Sequence, residues 1–233
     1  MDSEKWDFDD FDPVRQEGQH SAMALRSAFE QSLGDLGANA LERVFAMAVQ
    51  QLQAAPRSHR HPWHIGAVAT TNGSAASVRS VVLRATSTDP LALRFHTDAR
   101  SPKVEELREH ASLEWLFYEP SSKIQLRVAC TAEVLQSGDQ WETAWAKTTL
   151  PSRRCYLAPS APGERKESPN VNLPEHLADK DPSEAESEIG KANFAIVQCA
   201  VERIDWLYLR HNGHLRAMFT RHDDDWEMDW STP

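Results

Sequence analysis

Positive charge in this acidic chain is concentrated in one segment, residues 77–103, which contains four arginines and one lysine. The whole chain has 233 residues and a formal net charge of −10. A guanidinium group presents a planar fork of donors that matches a phosphate or carboxylate, so such a cluster is typical of a site for a small anion. The cations that carry this argument are Arg79, Arg84, Arg100 and Lys103.

Two of these cations flank a predicted helix start at Ser101-Pro102. Serine is a favoured cap and proline a favoured first helical residue, and the free N–H groups and dipole of a helix N-terminus attract anions. Arg100 and Lys103 would add charge to that site. The same residues are equally compatible with a capped surface helix whose charges are solvated.

Arg79 and Arg84 bracket the apolar run Val81-Val82-Leu83 in a predicted strand. Because they are five residues apart, a regular strand projects them to opposite faces, and they do not converge on one atom. The apolar run indicates burial on both faces. A core strand with charged ends at the surface explains this pattern equally well.

Hydrophobic periodicity predicts a mainly β protein with flanking helices. Helices are predicted within Ala22–Gln53, with a break near Gly34–Gly37, after Ser101 and over Asp139–Lys147. Strands are predicted over Ile65–Thr71, Ser77–Arg84, Leu91–Thr97, Leu113–Tyr118, Ile124–Leu135, Phe194–Val201, Trp206–Leu209, Leu215–Thr220 and Trp226–Trp230. Asn72-Gly73 is a hairpin signal between the first two strands. This meander-like order favours an antiparallel barrel.

Two segments depart from this pattern. Residues 1–20 are polar and acidic and are expected to be disordered. Residues 157–191 are rich in Pro, Ser and Glu and have no period, which predicts a long excursion or a mobile loop. Residues 21–233 are expected to form one domain around that excursion.

The composition argues against several partners. A strongly acidic chain is a poor ligand for nucleic acid or for an anionic membrane, since both require clustered cations. The acidic first residues do not read as a secretory signal. The scattered Cys130, Cys155 and Cys199 read as reduced thiols, not as a disulfide framework or zinc site. We therefore expect a cytoplasmic protein.

Other candidate sites are weaker. His59, His61 and His64 have no nearby carboxylate or thiol, so a loop of partly exposed histidines is favoured over a metal site. The run at 223–225 lacks the spacing of a calcium loop and is interpreted as a solvated turn. Four tryptophans are expected to be core or dimer contacts, with a place beside a cofactor as the alternative: Trp115, Trp206, Trp226 and Trp230.

Four motifs in order resemble one known family. The first three are R-S-V-V-L-R, F-H-T-D-A-R-S-P-K and I-Q-L-R-V, and the fourth is the C-terminal H-L-R followed by W-E-M-D-W-S-T-P. They are similar to the FMN-binding split-barrel family typified by pyridoxamine 5'-phosphate oxidase, in a sub-group related to the oxidase. The resemblance runs from about Pro62 to Val134 and resumes from Phe194 to the end. It implies a split antiparallel β-barrel that binds FMN between the two protomers of a homodimer.

The resemblance also implies a set of cofactor contacts. The FMN-binding positions it implies are Arg79, Val81, Val82, Leu83, Arg84, His96, Thr97, Arg100, Ser101, Lys103, Gln125 and Arg216. Ser101 and Lys103 match the family's phosphate grip, where Pro102 replaces an arginine whose charge Arg100 could supply. Gln125 matches a glutamine at the polar edge of the flavin, and Arg216 an arginine that reaches FMN across the dimer. Arg79 and Arg84 would then contact the phosphate end and the ring edge of one elongated cofactor.

Departures from the family pattern fall on the substrate side. Asn212 stands where the oxidase has an arginine for the substrate phosphate, although His214 is retained. The oxidase's Tyr-Phe-x-x-Arg-Pro stretch has no counterpart after Glu133. The family's Gln-Ser pair is also unclear, with Thr148-Thr149 or Ser152 as possible replacements. FMN binding therefore carries over better than pyridoxamine phosphate specificity.

The function predicted from these residues is that of an FMN-dependent oxidoreductase acting on an unassigned small molecule. Arg84 and Gln125 are the candidates for stabilising negative charge on the reduced flavin, and His214 is the sole candidate catalytic residue. The alternatives are a non-catalytic flavin- or haem-binding module and a barrel that has lost its cofactor.

Overall fold

The computed structural model describes residues 39–223 and 225–233. The acidic segment 1–20, the predicted helix before residue 39 and Asp224 lie outside the described residues. The first described helix, α1 (Ala40–Ala54), buries Val44, Ala48 and Leu52 at the three- and four-residue spacing that predicted it.

Nine strands form one sheet in which every described pairing is antiparallel. The strands are β1 (Ile65–Thr71), β2 (Ala76–Val82), β3 (Ala85–Thr88), β4 (Leu91–Asp98), β5 (Ser112–Glu119), β6 (Ile124–Leu135), β7 (Phe194–Tyr208), β8 (Leu215–His222) and β9 (Asp225–Ser231). Their order is β2-β1-β5-β6-β7-β4-β3, and β8 joins β7 to β9. The predicted antiparallel, barrel-like fold with flanking helices is confirmed, with a sheet that does not close.

The strand β7 differs most from its prediction. The sequence predicts two strands, whereas the structure has one strand of 15 residues. Its first half pairs with β4, its second half pairs with β8, and β6 lies along both halves. The register shifts where Cys130 pairs with Val201, which leaves Glu202 as an extra residue in β7. The sequence break between the predicted strands thus corresponds to a bulge.

Aromatic rings on the inner face of the sheet fill the main core. Trp115 and Phe117 stack with their centroids 5.3 Å apart, and both are fully buried. Gly66 lies beneath them, and a Cβ at this position would approach a Phe117 ring carbon to 2.5 Å. A glycine in β1 therefore lets the ring pair reach the backbone.

The excursion, residues 157–191, contains helical turns that its composition does not predict. The helices before and within it are α2 (Pro102–Glu109), α3 (Asp139–Lys147), α4 (Leu150–Arg153) and α5 (Glu184–Ile189), with 3-10 turns at Arg154–Leu157, Glu175–Leu177 and Gly190–Asn193. Ser183 and Glu186 form a capping box at the start of α5. A second hydrophobic cluster, around Trp145, Tyr156 and Phe194, anchors these turns to the sheet.

Two further features of the described residues are the hydropathy of the helices and the state of the cysteines. Within the described residues, no helix combines the length and hydropathy that a bilayer crossing requires. All three cysteines are free, with Cys130 and Cys199 buried and Cys155 exposed. The prediction of free thiols is confirmed.

Candidate functional site

The start of α2 brings together three of the predicted residues. The Lys103 ammonium donates to the Thr97 hydroxyl at 3.0 Å and to the Ser101 hydroxyl at 2.6 Å. Ser101 occupies the N-cap position but makes no side-chain cap hydrogen bond, which differs from the prediction. Its hydroxyl oxygen accepts from Lys103 instead, so its proton is available for a further acceptor.

Arg79 approaches this cluster from β2. Its guanidinium pairs with the Glu106 carboxylate of α2 at 3.1 Å and donates to the Thr70 hydroxyl. Burial and the nearby charge of Arg79 lower the pKa of Lys103. Arg79, Lys103 and Glu106 together carry a net positive charge, so binding of an anion beside them would be favourable.

Arg100 is engaged elsewhere. Its guanidinium binds both oxygens of Asp98, at 3.0 and 2.7 Å, and donates to the Ala158 carbonyl at 2.9 Å. This pairing balances its charge and ties the end of β4 to the excursion. A direct contact of Arg100 with a cofactor stays a prediction.

Burial varies along the apolar run between Arg79 and Arg84. Leu83 is fully buried and Val81 packs partly against the core. Val82 pairs with Ile65 of β1, and β2 has no other neighbour among the described strands. Because β2 is an edge strand, its outer backbone groups remain available to a ligand, as the resemblance implies.

His96 lines a cleft of about 530 Å³ beside the cation cluster. Its ring packs edge-on against Phe194, with centroids 4.9 Å apart. Burial lowers the pKa of His96 to about 4, with Arg84 and Arg94 acting in the same direction, so the ring is neutral at physiological pH. Arg84 is exposed at this end of the site. The site therefore continues from Thr97 into a cleft whose wall includes the uncharged imidazole ring of His96.

Gln125, Arg216 and His214 make no described contact with the cation cluster. Gln125 lies on β6, and no described hydrogen bond joins it to Lys103 or Arg79. Arg216 faces outward on β8 and binds Asp205 at 2.9 and 2.8 Å. His214 is exposed and accepts a backbone N–H.

Some residues of the site were not predicted from sequence. Glu106 and Thr70, which hold Arg79, lie 27 and 9 residues from it in the chain. Asp205, which holds Arg216, also binds Arg127, and these bonds lower its pKa against the opposing effect of burial. Strand register relates Thr70 to Arg79 and Asp205 to Arg127 and Arg216, and the position of α2 beside the sheet relates Glu106 to Arg79, so a spacing pattern does not identify them.

The histidines before β1 have structural partners. His61 shares a hydrogen bond of 3.0 Å with Gln51, and His64 shares one of 2.9 Å with the Ala55 carbonyl. Across the part of the chain that the structure describes, no group of three or more His, Cys, Asp or Glu side chains is placed to hold a metal.

Comparison with known proteins finds a similar domain in one segment of the chain. Residues 41–136 match the family model described as pyridoxamine 5'-phosphate oxidase, FMN-binding domain. This segment contains the cation cluster, the β2 strand and Gln125. This part of the chain is therefore similar to that FMN-binding domain.

Individual proteins share low sequence identity with this chain. The chain is 28% identical over 146 residues to pyridoxine/pyridoxamine 5'-phosphate oxidase 2 of Arabidopsis thaliana, covering 60% of this chain and 70% of that protein. A pyridoxamine 5'-phosphate oxidase-related, FMN binding protein from Nostoc punctiforme superposes with a TM-score of 0.61 at 22% identity, covering 80% of this chain and 96% of the other. PhzG from Burkholderia lata superposes with a TM-score of 0.60 at 17% identity, covering 82% and 92%. These two structures establish the fold.

Proposed function

We propose that this protein binds FMN and acts as an FMN-dependent oxidoreductase on a small molecule. The observation that carries the proposal is the positive cluster of Arg79 and Lys103 at the start of α2, inside the segment that matches an FMN-binding domain. Thr97 and Ser101 hold the Lys103 ammonium, and Glu106 holds the Arg79 guanidinium, so both donors are oriented before an anion arrives.

The chain's own residues would bind and orient the cofactor. Lys103, Ser101 and Arg79 would hold the phosphate, and the open edge of β2 would contact the ring system. Arg84 would place a positive charge where the ring gains electron density. The flavin itself supplies the redox chemistry. His214 stays the candidate catalytic residue.

A homodimer is the second part of the proposal. The outer face of β1, β2 and β5 exposes large apolar side chains: Ile65 (56% exposed), Val78 (66%), Leu116 (40%) and Tyr118 (45%). Tyr118 pairs across the sheet with Gln125, Gln125 with Leu207, and Leu207 with Arg216. Gln125 and Arg216 therefore lie on the same face of the sheet as Tyr118. A second copy on this face would bury the apolar patch and could bring its Gln125 and Arg216 to a cofactor held by the first.

Substitution of Leu116 by Asp is expected to separate such a dimer, because it places a charge in the centre of the apolar face. Light scattering should show a fall from twice 26.3 kDa to 26.3 kDa. Val171→Asp is the control, since Val171 is 81% exposed on the excursion. An unchanged mass for the Leu116 variant would contradict an interface on this face.

The test of the cofactor is direct. The purified chain, stripped of ligands and titrated with FMN, should acquire the yellow flavin absorption bands and bind one FMN per chain. Loss of the bands on addition of NADH or NADPH would show that the bound flavin is reducible. A Soret band from co-purified haem, with no FMN binding, would contradict the proposal and favour the haem-binding alternative.

Turnover of pyridoxamine 5'-phosphate is expected to be slow or absent. The oxidase's substrate-phosphate arginine is replaced by Asn212, which is exposed in the β7–β8 turn. Peroxide release by the FMN-loaded protein would measure this activity. A rapid rate would show that other cations replace the missing contacts. The cytoplasm is the compartment we propose, supported by the three free cysteines.

A further inference from the structure

The cleft beside His96 has two walls of different origin. One wall is the end of β4, His96–Asp98, inside the family match. The other comes from residues 151–173, which lie outside that match and include Pro151, Arg154 and Asn172. The second wall therefore supplies contacts that the family match does not assign.

Adjacent arginines in this wall have opposite surroundings. The Arg153 side chain is 8% exposed and donates to the Thr148 and Trp145 carbonyls, to Ser187 and to Glu188. The Arg154 side chain is 33% exposed and lines the cleft. Its described partners are the Lys180 carbonyl at 3.5 Å and Asp181 at 4.0 Å, both at the limit of such contacts. Arg153 is thus fixed within the protein, and Arg154 is available to a ligand.

The electrostatic balance of the cleft is positive although the chain is acidic. Asp98 is the carboxylate that lines it, and Arg100 binds both of its oxygens. Tyr156 lines the cleft; burial raises the pKa of its phenol, and the positive charge of Arg84 acts against that rise. No carboxylate pairs with Arg84 among residues 39–223 and 225–233.

The second wall is held in a defined shape. Asn172 accepts from the Ser160 N–H at 3.0 Å and donates to the Ser160 carbonyl at 2.9 Å, which closes the loop between them. Below it, Tyr156 packs edge-on against Phe194 at 5.1 Å, and Trp145 packs on the same ring at 5.2 Å. An anion would therefore meet a preformed cationic cleft with an aromatic floor.

We propose that Arg154 binds an anionic group, a phosphate or a carboxylate, of the molecule that occupies this cleft. The inference deepens the proposed function. Two molecules could carry the anion: FMN, if its phosphate extends past Thr97, or the substrate, if Lys103 and Arg79 already hold that phosphate. In both cases Arg154 contributes a contact that the family motifs do not contain.

The experiment compares Arg154→Gln with Arg165→Gln, which removes an equal charge from an exposed position of the excursion outside the cleft. Calorimetry would measure FMN binding to the stripped protein. It would also measure the binding of inorganic phosphate to the stripped protein. With the FMN-loaded protein, it would compare benzoate, an anionic probe of the substrate site, with benzamide, its neutral analogue.

Each arm gives a distinct result. A loss of about tenfold or more in FMN affinity in the Arg154 variant alone assigns the anion to the cofactor. A similar loss for benzoate, with FMN and benzamide binding unchanged, assigns it to the substrate. If the protein binds no FMN but binds phosphate through Arg154, the proposed function fails and this inference stands. Equal affinities in the two variants for every anion, or no anion binding by the unmodified protein, would overturn it.

Discussion

Replacement of Lys103 by alanine is expected to weaken FMN binding by about 1.5–3 kcal/mol, which corresponds to roughly 10- to 150-fold in Kd. The ammonium is held by Thr97 and Ser101, and it would donate a charge-assisted hydrogen bond to the phosphate. Because burial and Arg79 already lower the pKa of Lys103, its removal relieves a repulsion in the FMN-free protein. The free energy of unfolding of that form should therefore change little.

Arg108→Ala is the matched control for this prediction. Arg108 lies in the last turn of the same helix, is half exposed and pairs with Glu105 at 3.7 Å. Its removal changes the charge of α2 by the same amount at the opposite end of the helix. If the two variants titrate with FMN alike, the phosphate does not bind at the start of α2. Arg79→Ala should weaken binding by a similar amount as Lys103→Ala, with the unpaired Glu106 as an additional cost.

Replacement of Arg153 by leucine is expected to lower the free energy of unfolding by about 3–5 kcal/mol. The guanidinium satisfies two backbone carbonyls, those of Trp145 and Thr148, together with the Ser187 hydroxyl and the Glu188 carboxylate. It also lies over the Trp145 ring, 4.5 Å from its centroid. Leucine would leave the buried acceptors without a donor, and urea unfolding followed by tryptophan fluorescence would measure the loss.

The neighbouring Arg154→Leu provides the comparison. This side chain is more exposed and has weaker contacts, so we expect less than about 1 kcal/mol. Equal destabilisation in the two variants would mean that Arg153 does not hold the excursion against β7. A large loss for Arg153 alone would establish that residues 157–191 are anchored through a buried cation.

Much of the fold follows from local patterns in the sequence. The spacing of Val44, Ala48 and Leu52 predicts α1, and the alternation along β5 and β6 matches the faces they bury. The short strand β3 was missed because Ala85–Thr88 has no apolar alternation; it is fixed by pairing with β4. The turns of the excursion were missed because they are short and depend on tertiary partners such as Arg153.

In the candidate site, too, residues close in the chain are easier to predict than residues far apart in it. Ser101 and Lys103 are two residues apart, so close spacing predicted that they lie at one site, although it did not predict that the ammonium donates to the serine hydroxyl. The Arg79–Glu106 pair and the wall around Arg154 require strands and loops far apart in sequence to meet. Gln125 and Arg216 make no described contact with Lys103 or Arg79, and one sequence does not position the second chain that we propose would bring them together.

The shared strand β7 also has a consequence for synthesis of the protein on the ribosome. β4 and β6 each obtain their second neighbour from β7, which begins at residue 194. Until that segment leaves the exit tunnel, the nascent chain exposes two hydrogen-bonding edges and an incomplete core, which is the condition that invites aggregation and chaperone capture. The segment from residue 194 onward thus completes a sheet whose other strands lie within residues 65–135, so those two edges stay unpaired until that segment has been synthesised.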